Sequence, residues 1–292
     1  MSRLHRHFPI LVTGARGLLG RALGETLGRL APRPEALRLT DVEDLDVTDP
    51  GAVAAAMQAL RPRTVFHLAA WTDVDGAERE PAKARRLNVE AAEEVARAAA
   101  AVGALVIHMS TDFVFDGTKA EPYAEDDPPR PQSIYARTKA ESEVCVRQAA
   151  PGSHLVVRTA WLYGAGGKNF IEAVLAAARR GEPLRVVTDQ VGCPTWNEDL
   201  VRAILALLET EARGTFHACG AGEASRYDLA VETVRAAGID VPVEPVTTAD
   251  VPRPAVRPAR AVLSTEKLAR TTGFRFPPWR ESVRAYVASR RR

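Results

Sequence analysis

The chain has 292 residues, 46% hydrophobic and 26% charged, with a net charge of +2, a composition that can bury a core without metal or disulfide and excludes a disordered chain. That charge gives no basic excess of the kind nucleic-acid or acidic-membrane surfaces need, and no apolar run approaches the roughly 18 residues of a membrane span. Cys145, Cys193 and Cys219 form no CxxC pattern, and no signal-peptide pattern follows the basic stretch 1–9, so a reduced, cytoplasmic protein is expected.

In chain order the predicted elements alternate between strand and helix. Residues 8–12 form a short apolar strand that runs into Thr13-Gly14-Ala15-Arg16-Gly17-Leu18-Leu19-Gly20. Apolar residues then recur at Leu23, Leu27 and Leu30, the spacing of a helix. A second strand covers 36–39 and ends at Asp41. Residues 64–69 read as a buried strand, 82–102 as an Ala-rich helix and 104–109 as another buried strand. A helix over 132–148 precedes a strand over 154–158, helices over 170–180 and 200–208, and a strand over 215–218. The Pro-rich stretch 241–258 reads as a loop or edge segment, and 290–292 as a solvated end. The strands are nearly continuous apolar runs, which places them in a parallel sheet covered on both faces. The expected fold class is α/β: a doubly wound, Rossmann-like parallel sheet with a smaller C-terminal part over its carboxyl edge.

Gly14, Gly17 and Gly20 occupy the first strand-to-helix turn as GxxGxxG. A pyrophosphate needs such a tight turn, close backbone and a helix N-terminus aimed at it. Three glycines can also serve only as turn and packing residues, so position carries the argument. Asp41, about 20 residues further on at the end of the second strand, stands where an acid binds adenosine ribose hydroxyls. It favours NADH, whereas the guanidinium of Arg16 favours the phosphate of NADPH, so both cofactors stay open.

Tyr135 and Lys139 form YxxxK in a predicted helix, and i and i+4 share one face. An ammonium near a phenol is expected to lower its pKa, and such a phenol can protonate a ketone oxygen as hydride arrives on carbon. Only five of the 39 basic residues are lysines, which makes one in a motif more informative. Ser110-Thr111-Asp112 follows the strand over 104–109, where an open parallel sheet binds its ligands. A hydroxyl there can hydrogen-bond a substrate carbonyl. His67 and His108 fall within strands and read as core histidines, and no metal-ligand spacing appears.

The order of these signals resembles the extended short-chain dehydrogenase/reductase family. The segments LVTGARGLLG, LDVTDP, HLAAWTDVDGAEREP, STDFVFDG, PYAEDDPPRPQSIYARTK, RTAWLYG, DQVGCPT and RPARAVL resemble, within it, the dTDP-4-dehydrorhamnose reductase family nearly end to end. That resemblance implies NAD(P)H-dependent reduction of the C4 ketone of a dTDP-linked sugar. It implies Thr111, Tyr135 and Lys139 as the catalytic set, with Tyr135 as proton donor and both Tyr135 and Lys139 touching the cofactor, Lys139 on the nicotinamide ribose. Gly14, Arg16, Gly17, Leu18 and Leu19 would lie under the pyrophosphate and Asp41 by the adenosine ribose. Asp46 and Val47 would flank the adenine, and Ala69, Ala70, Trp71 and Thr72 would pass along the cofactor. Thr72, Thr111, Asp112, Tyr135 and Trp161 would meet the substrate, and Asn88 would support the site through backbone hydrogen bonds. Residues 1–160 would mainly bind the dinucleotide. Residues 161–292 would mainly bind substrate, interleaved with segments returning to the sheet.

Two departures qualify the resemblance. The family often reads YGxSKLxGE where this chain has YARTKAESE, so Ala136, Thr138 and Ala140 bear on substrate identity while the Tyr and Lys survive. Some members hold magnesium at a dimer interface with a carboxylate just after the glycine loop. Arg21-Ala22 stands there, so no metal is expected, and a homodimer is left open. The partner expected is a small nucleotide sugar, not a nucleic acid or a membrane. Two other functions stay open: reduction of another nucleotide-linked 4-ketosugar, and a non-catalytic NADP-binding subunit like the relative that attaches to methionine adenosyltransferase.

Overall fold

A computed structural model describes residues 3–290. Met1, Ser2 and the Arg291-Arg292 part of the expected solvated tail lie outside the described residues. The main sheet is built from β1 (Ile10–Thr13), β2 (Leu37–Thr40), β3 (Thr64–His67), β4 (Leu105–Thr111), β5 (His154–Thr159) and β6 (Gly214–His217). All are parallel, in the order β6-β5-β4-β3-β1-β2. Succession runs outward from β1 in both directions, so the topological switch lies between β1 and β3. Val12 is level with Leu39 on one side and Phe66 on the other.

β1, β3, β4 and β5 are buried on both faces, as their composition requires, whereas the edge strand β2 leaves Arg38 and Leu39 exposed. The helices are α1 (Leu18–Leu30), α2 (Pro50–Leu60), α3 (Ala91–Ala101), α4 (Ile134–Ala149) and α5 (Asn197–Glu209). Leu19, Leu23 and Leu27 of α1 join Leu200, Ile204 and Leu207 of α5 over one face. Val53, Met57, Val95, Ala96 and Val146 bring α2, α3 and α4 onto the other. Leu23, Val53, Val95 and Ile204 are fully buried; closing such faces is what holds a sheet of this kind together.

The helix expected over 82–102 is interrupted. It starts as Pro81–Arg85, takes a π turn over Arg86–Glu90 and resumes as α3. Helix α2 was not among the expected elements, although Asp49 caps it by accepting from the amides of Gly51 and Ala52, with Pro50 at its first position. In the Pro-rich stretch, Val243–Val246 pairs in parallel with Leu184–Val187, making it an edge segment. Arg257 ties the same stretch to Asp75 at 2.8 Å, which pins it beside Val74–Arg79 near the carboxyl edge of the sheet. A further apolar cluster holds the later segments, with Tyr163, Ile171, Leu229, Trp279, Val283 and Tyr286 among its members. Among the described residues no helix is long and apolar enough to cross a membrane.

Candidate active site

At the end of β1, Gly14 turns the chain with φ +68°, and a Cβ there would sit 2.7 Å from the Ala69 amide nitrogen. Gly17 precedes α1, and no side chain caps that helix. Its first-turn N–H groups and the positive end of its dipole therefore stay available to an anion. They border a cleft of 880 Å³ at the carboxyl ends of the strands. Gly14, Arg16, Gly17, Leu18 and Leu19 line the cleft, with Asp41, Asp46 and Val47 over the β1–β2 side. Ala69, Ala70 and Thr72 line it after β3, and Thr111, Asp112, Tyr135, Lys139 and Trp161 line the far end. The strand end, the tight glycine turn and the uncapped helix fit a dinucleotide.

Trp71 is the exception among these residues, because its ring is drawn out of the wall. The indole N–H donates to the Asp73 carbonyl at 3.0 Å, and the Lys83 ammonium lies 4.4 Å above the ring. The Trp71 backbone is held from behind by Asn88, whose Oδ1 accepts from its amide at 2.7 Å. Asn88 Nδ2 donates to the Trp71 carbonyl and to Thr138 Oγ1. Asn88 lies in the π turn, a distortion that re-aims a side chain within a helix.

Helix α4 presents Tyr135 and Lys139 on one face, and Ser133 caps it by accepting from the Ala136 amide. The Lys139 ammonium is buried, 3.3 Å from His108 Nε2. Burial lowers its pKa to about 8, against the pull of the Glu143 carboxylate. Burial likewise pushes the Tyr135 phenol up to about 12, with the Thr111 hydroxyl opposing and the Asp112 carboxylate adding. The expected lowering by lysine is absent because the ammonium faces His108 and desolvation dominates the phenol. Tyr135 therefore keeps its proton at neutral pH. His67 and His108 are buried and stacked, with ring centroids 5.6 Å apart. Burial and then the Lys139 charge hold both below the usual histidine range, so both rings are neutral at pH 7.

Thr111 ends β4, and its hydroxyl donates to Asp112 Oδ1 at 2.9 Å. Asp112 Oδ2 is buried without a partner among the described residues, and burial raises this carboxyl to about 7. Beneath them Arg158 grips Glu143 bidentately, Nε to Oε1 at 2.8 Å and Nη2 to Oε2 at 2.7 Å. Ser110 donates to the same Oε1 at 2.6 Å, so β4, β5 and α4 meet in one buried network.

Trp161 leaves β5 with φ +45°, a left-handed conformation uncommon for a bulky residue and often found at functional sites. Its ring packs against Gly192, where a Cβ would come within 2.6 Å. The Arg226 guanidinium carbon lies 3.6 Å from the ring centroid, so one flat face that a sugar could use is already covered. Arg226 lines the cleft, feels the charge of Asp112 and makes no ion pair among the described residues. Burial pushes its pKa down to about 10, so it remains a cation at neutral pH. Lys168 is another cleft cation, on the loop that packs Gly167 against Leu18. Sequence reasoning missed both. Lys168 could have been found, since lysine is scarce and it follows two glycines; Arg226 is one arginine among many, and nothing local marks it.

A doubly wound parallel sheet with a dinucleotide-type cleft and a Thr–Tyr–Lys set at its carboxyl edge defines an oxidoreductase of the extended short-chain dehydrogenase/reductase type. Residues 8–292 match the family described as RmlD substrate binding domain. The chain is 42% identical over 263 residues to a dTDP-4-dehydrorhamnose reductase of Streptomyces griseus, covering 88% of this chain and 86% of the relative. It is 42% identical over 279 residues to a probable dTDP-4,6-dihydroxy-2-methyloxan-3-one 4-ketoreductase of Streptomyces antibioticus, covering 94% and 92%. A dTDP-4-dehydrorhamnose reductase from Bacillus anthracis, solved in complex with NADP, superposes with a TM-score of 0.90 at 34% identity, over 96% of this chain and 98% of that one. The chain belongs to the dTDP-4-dehydrorhamnose reductase family. Among the described residues, no three or more His, Cys, Asp or Glu side chains are grouped to hold a metal ion.

Proposed function

We propose that this protein reduces the C4 ketone of dTDP-4-dehydro-L-rhamnose to the alcohol of dTDP-L-rhamnose, using NADPH or NADH. The observation that carries this reading is the meeting of a protonated Tyr135 and the Thr111 hydroxyl with Arg226, which makes no ion pair among the described residues, in one cleft whose other end fits a dinucleotide. The dinucleotide, when bound, supplies hydride to the ketone carbon. Tyr135 gives its phenolic proton to the C4 oxygen, and Thr111 turns its hydroxyl proton from Asp112 to that oxygen as charge develops. Lys139 holds the nicotinamide ribose. Arg226 meets the sugar-nucleotide diphosphate, and Trp161 keeps the guanidinium aimed by stacking on it. The second half of the chain, which supplies Trp161, Lys168 and Arg226, thus acts as the substrate side.

Comparing turnover on dTDP-4-dehydro-L-rhamnose with that on an epimeric dTDP-4-ketosugar tests the substrate assignment. The rhamnose precursor is expected to be the better substrate; preference for the epimer would move the assignment to a sister reductase. Replacing Arg226 by Gln is expected to raise KM for the sugar nucleotide by about 10- to 100-fold, the worth of a hydrogen bond to a charged group, with kcat within a few-fold. An unchanged KM would remove Arg226 from substrate binding. The alkaline limb has a defined sign as well. Lys139 loses its charge as pH rises through about 8, so kcat/KM for the dinucleotide should fall above that pH. In Lys139→Arg the limb should move well above pH 9; a limb unmoved in that variant would belong to another group.

A further inference from the structure

Behind the cleft wall, His108 and Ser142 stand against Lys139 in a hydrogen-bond chain that the reductase reading leaves unused. All three side chains are buried. Ser142 lies one turn beyond Lys139 on α4, and its Oγ donates to the Lys139 carbonyl at 2.7 Å. A serine hydroxyl has one proton, so toward His108 Nε2, 2.9 Å away, the same oxygen accepts. The proton of the neutral His108 ring is therefore on Nε2. The other ring nitrogen agrees: His108 Nδ1 is buried without a partner among the described residues. A proton there would make an orphaned buried N–H, which proteins avoid more strictly than a bare acceptor.

This tautomer decides what Lys139 meets. Its Nζ lies 3.3 Å from that same Nε2, so the ammonium faces an N–H, donor against donor. No other group hydrogen-bonds to Nζ among the described residues. The carboxylate one turn further along α4 is committed elsewhere: Glu143 takes Ser110 and Arg158 on Oε1, and Arg158 and Arg147 on Oε2. His67 of β3 is neutral and stacks on His108. Tyr135 keeps its proton, and Asp112 beyond β4 accepts from Thr111. The ammonium thus has no acceptor on the protein side, while on the other side Lys139 lines the cleft. A dinucleotide ribose would bring hydroxyl oxygens to it there.

We infer that His108 and Ser142 are positioning residues for Lys139: by fixing the ring proton on Nε2 they deny its ammonium an acceptor within the protein and leave it to the ribose hydroxyls of the dinucleotide. The inference rests on the dinucleotide reading of the cleft and is independent of which sugar is reduced. Ser142 is the group that holds the tautomer. Without its oxygen, either form of the ring leaves one N–H unpartnered. Only the Nδ1–H form then lets Nε2 accept from the ammonium, a charge-assisted bond. Loss of the serine hydroxyl should therefore move the ring proton and tie Lys139 back against His108.

The ring proton can be read in the whole protein with no dinucleotide or ketosugar present. Long-range proton–nitrogen NMR at pH 7, on protein carrying isotope-labelled histidine, should show His108 in the Nε2–H form, its signals assigned by their loss in His108→Gln. The Nδ1–H form in the wild type would overturn the inference. In Ser142→Ala, with its melting checked against wild type, His108 should appear as Nδ1–H. NADH and NADPH, titrated by tryptophan quenching at pH 7, should then each bind about tenfold more weakly, the scale of one hydrogen bond to a charged group. The alkaline limb of dinucleotide binding, set by Lys139, should move up by about one pH unit, because the new bond favours the ammonium. Weaker binding with an unmoved limb would leave Ser142 a merely structural role and overturn the inference, as would an unchanged affinity. Failure of the wild type to bind either dinucleotide would overturn the reductase reading itself, and the ribose role of Lys139 with it, whichever tautomer is found.

Discussion

Tyr135→Phe should bind NADH or NADPH as the wild type does and lose turnover by about 10²- to 10⁴-fold, the range that a positioned general acid supplies. The expectation follows from burial. The phenol is held up at about 12, so at neutral pH it is fully protonated and has a proton to offer in the role proposed for it. Phenylalanine keeps the ring and its edge contact with Phe113, so folding and dinucleotide binding have no reason to change. Steady-state rates together with a dinucleotide titration separate the two effects. A variant with full turnover would take the proton-donor role away from Tyr135 and pass it to Thr111 or to solvent.

The second large effect is on stability. Arg158→Met should destabilise the protein by about 3–5 kcal/mol, because it leaves the Glu143 carboxylate buried with no bidentate partner. Glu143 and Arg158 side chains are both almost fully buried, and the Arg158 fork holds Glu143 below the usual carboxylate range despite burial. The contact also fixes β5 and α4 together beneath the site, and Ser110 joins β4 to it one residue before Thr111. Loosening this network should therefore move Thr111 relative to Tyr135 and lower kcat as well. Urea denaturation of Arg158→Met and of Glu143→Leu/Arg158→Met measures it. The double substitution should regain most of the loss, since no orphaned charge remains. A single variant within about 1 kcal/mol of wild type would show that the pair is dispensable.

Much of the site was legible because its residues sit at chain positions with a fixed physical meaning. A glycine turn after the first strand, an acid at the end of the second and a ligand site beyond the end of β4 follow from the geometry of a parallel sheet, while the roles of Thr111, Tyr135 and Lys139 came from the order of the motifs and the family they resemble. The cleft brings these together as expected. What escaped reading depends on long-range packing. The π turn under Asn88 leaves no mark in an Ala-rich helical pattern, yet it aims the amide that holds Trp71 and Thr138. Trp71 reads like its neighbours, but an ammonium 12 residues away draws its ring aside. The rise in the Tyr135 pKa reverses the inference from spacing alone, since i, i+4 places Lys139 nearby but does not say that its ammonium turns to His108. Arg226 reaches the cleft from the far half of the chain, 65 residues after the Trp161 it covers, and only the fold joins them. Helix α2 is a different case: Asp49-Pro50, an N-cap acid followed by a proline at the first position, is a start signal legible in the sequence itself.

Isotope transfer tests reduction at C4 of the sugar most directly. The protein is incubated with dTDP-4-dehydro-L-rhamnose and dihydronicotinamide dinucleotide carrying deuterium at both C4 positions, and the sugar product is examined by mass spectrometry and proton NMR. The account predicts dTDP-L-rhamnose one mass unit heavier, with the deuterium at C4 and none of it formed by Tyr135→Phe on the same timescale. Unreduced ketosugar recovered beside a fully bound, unoxidised dinucleotide would contradict it.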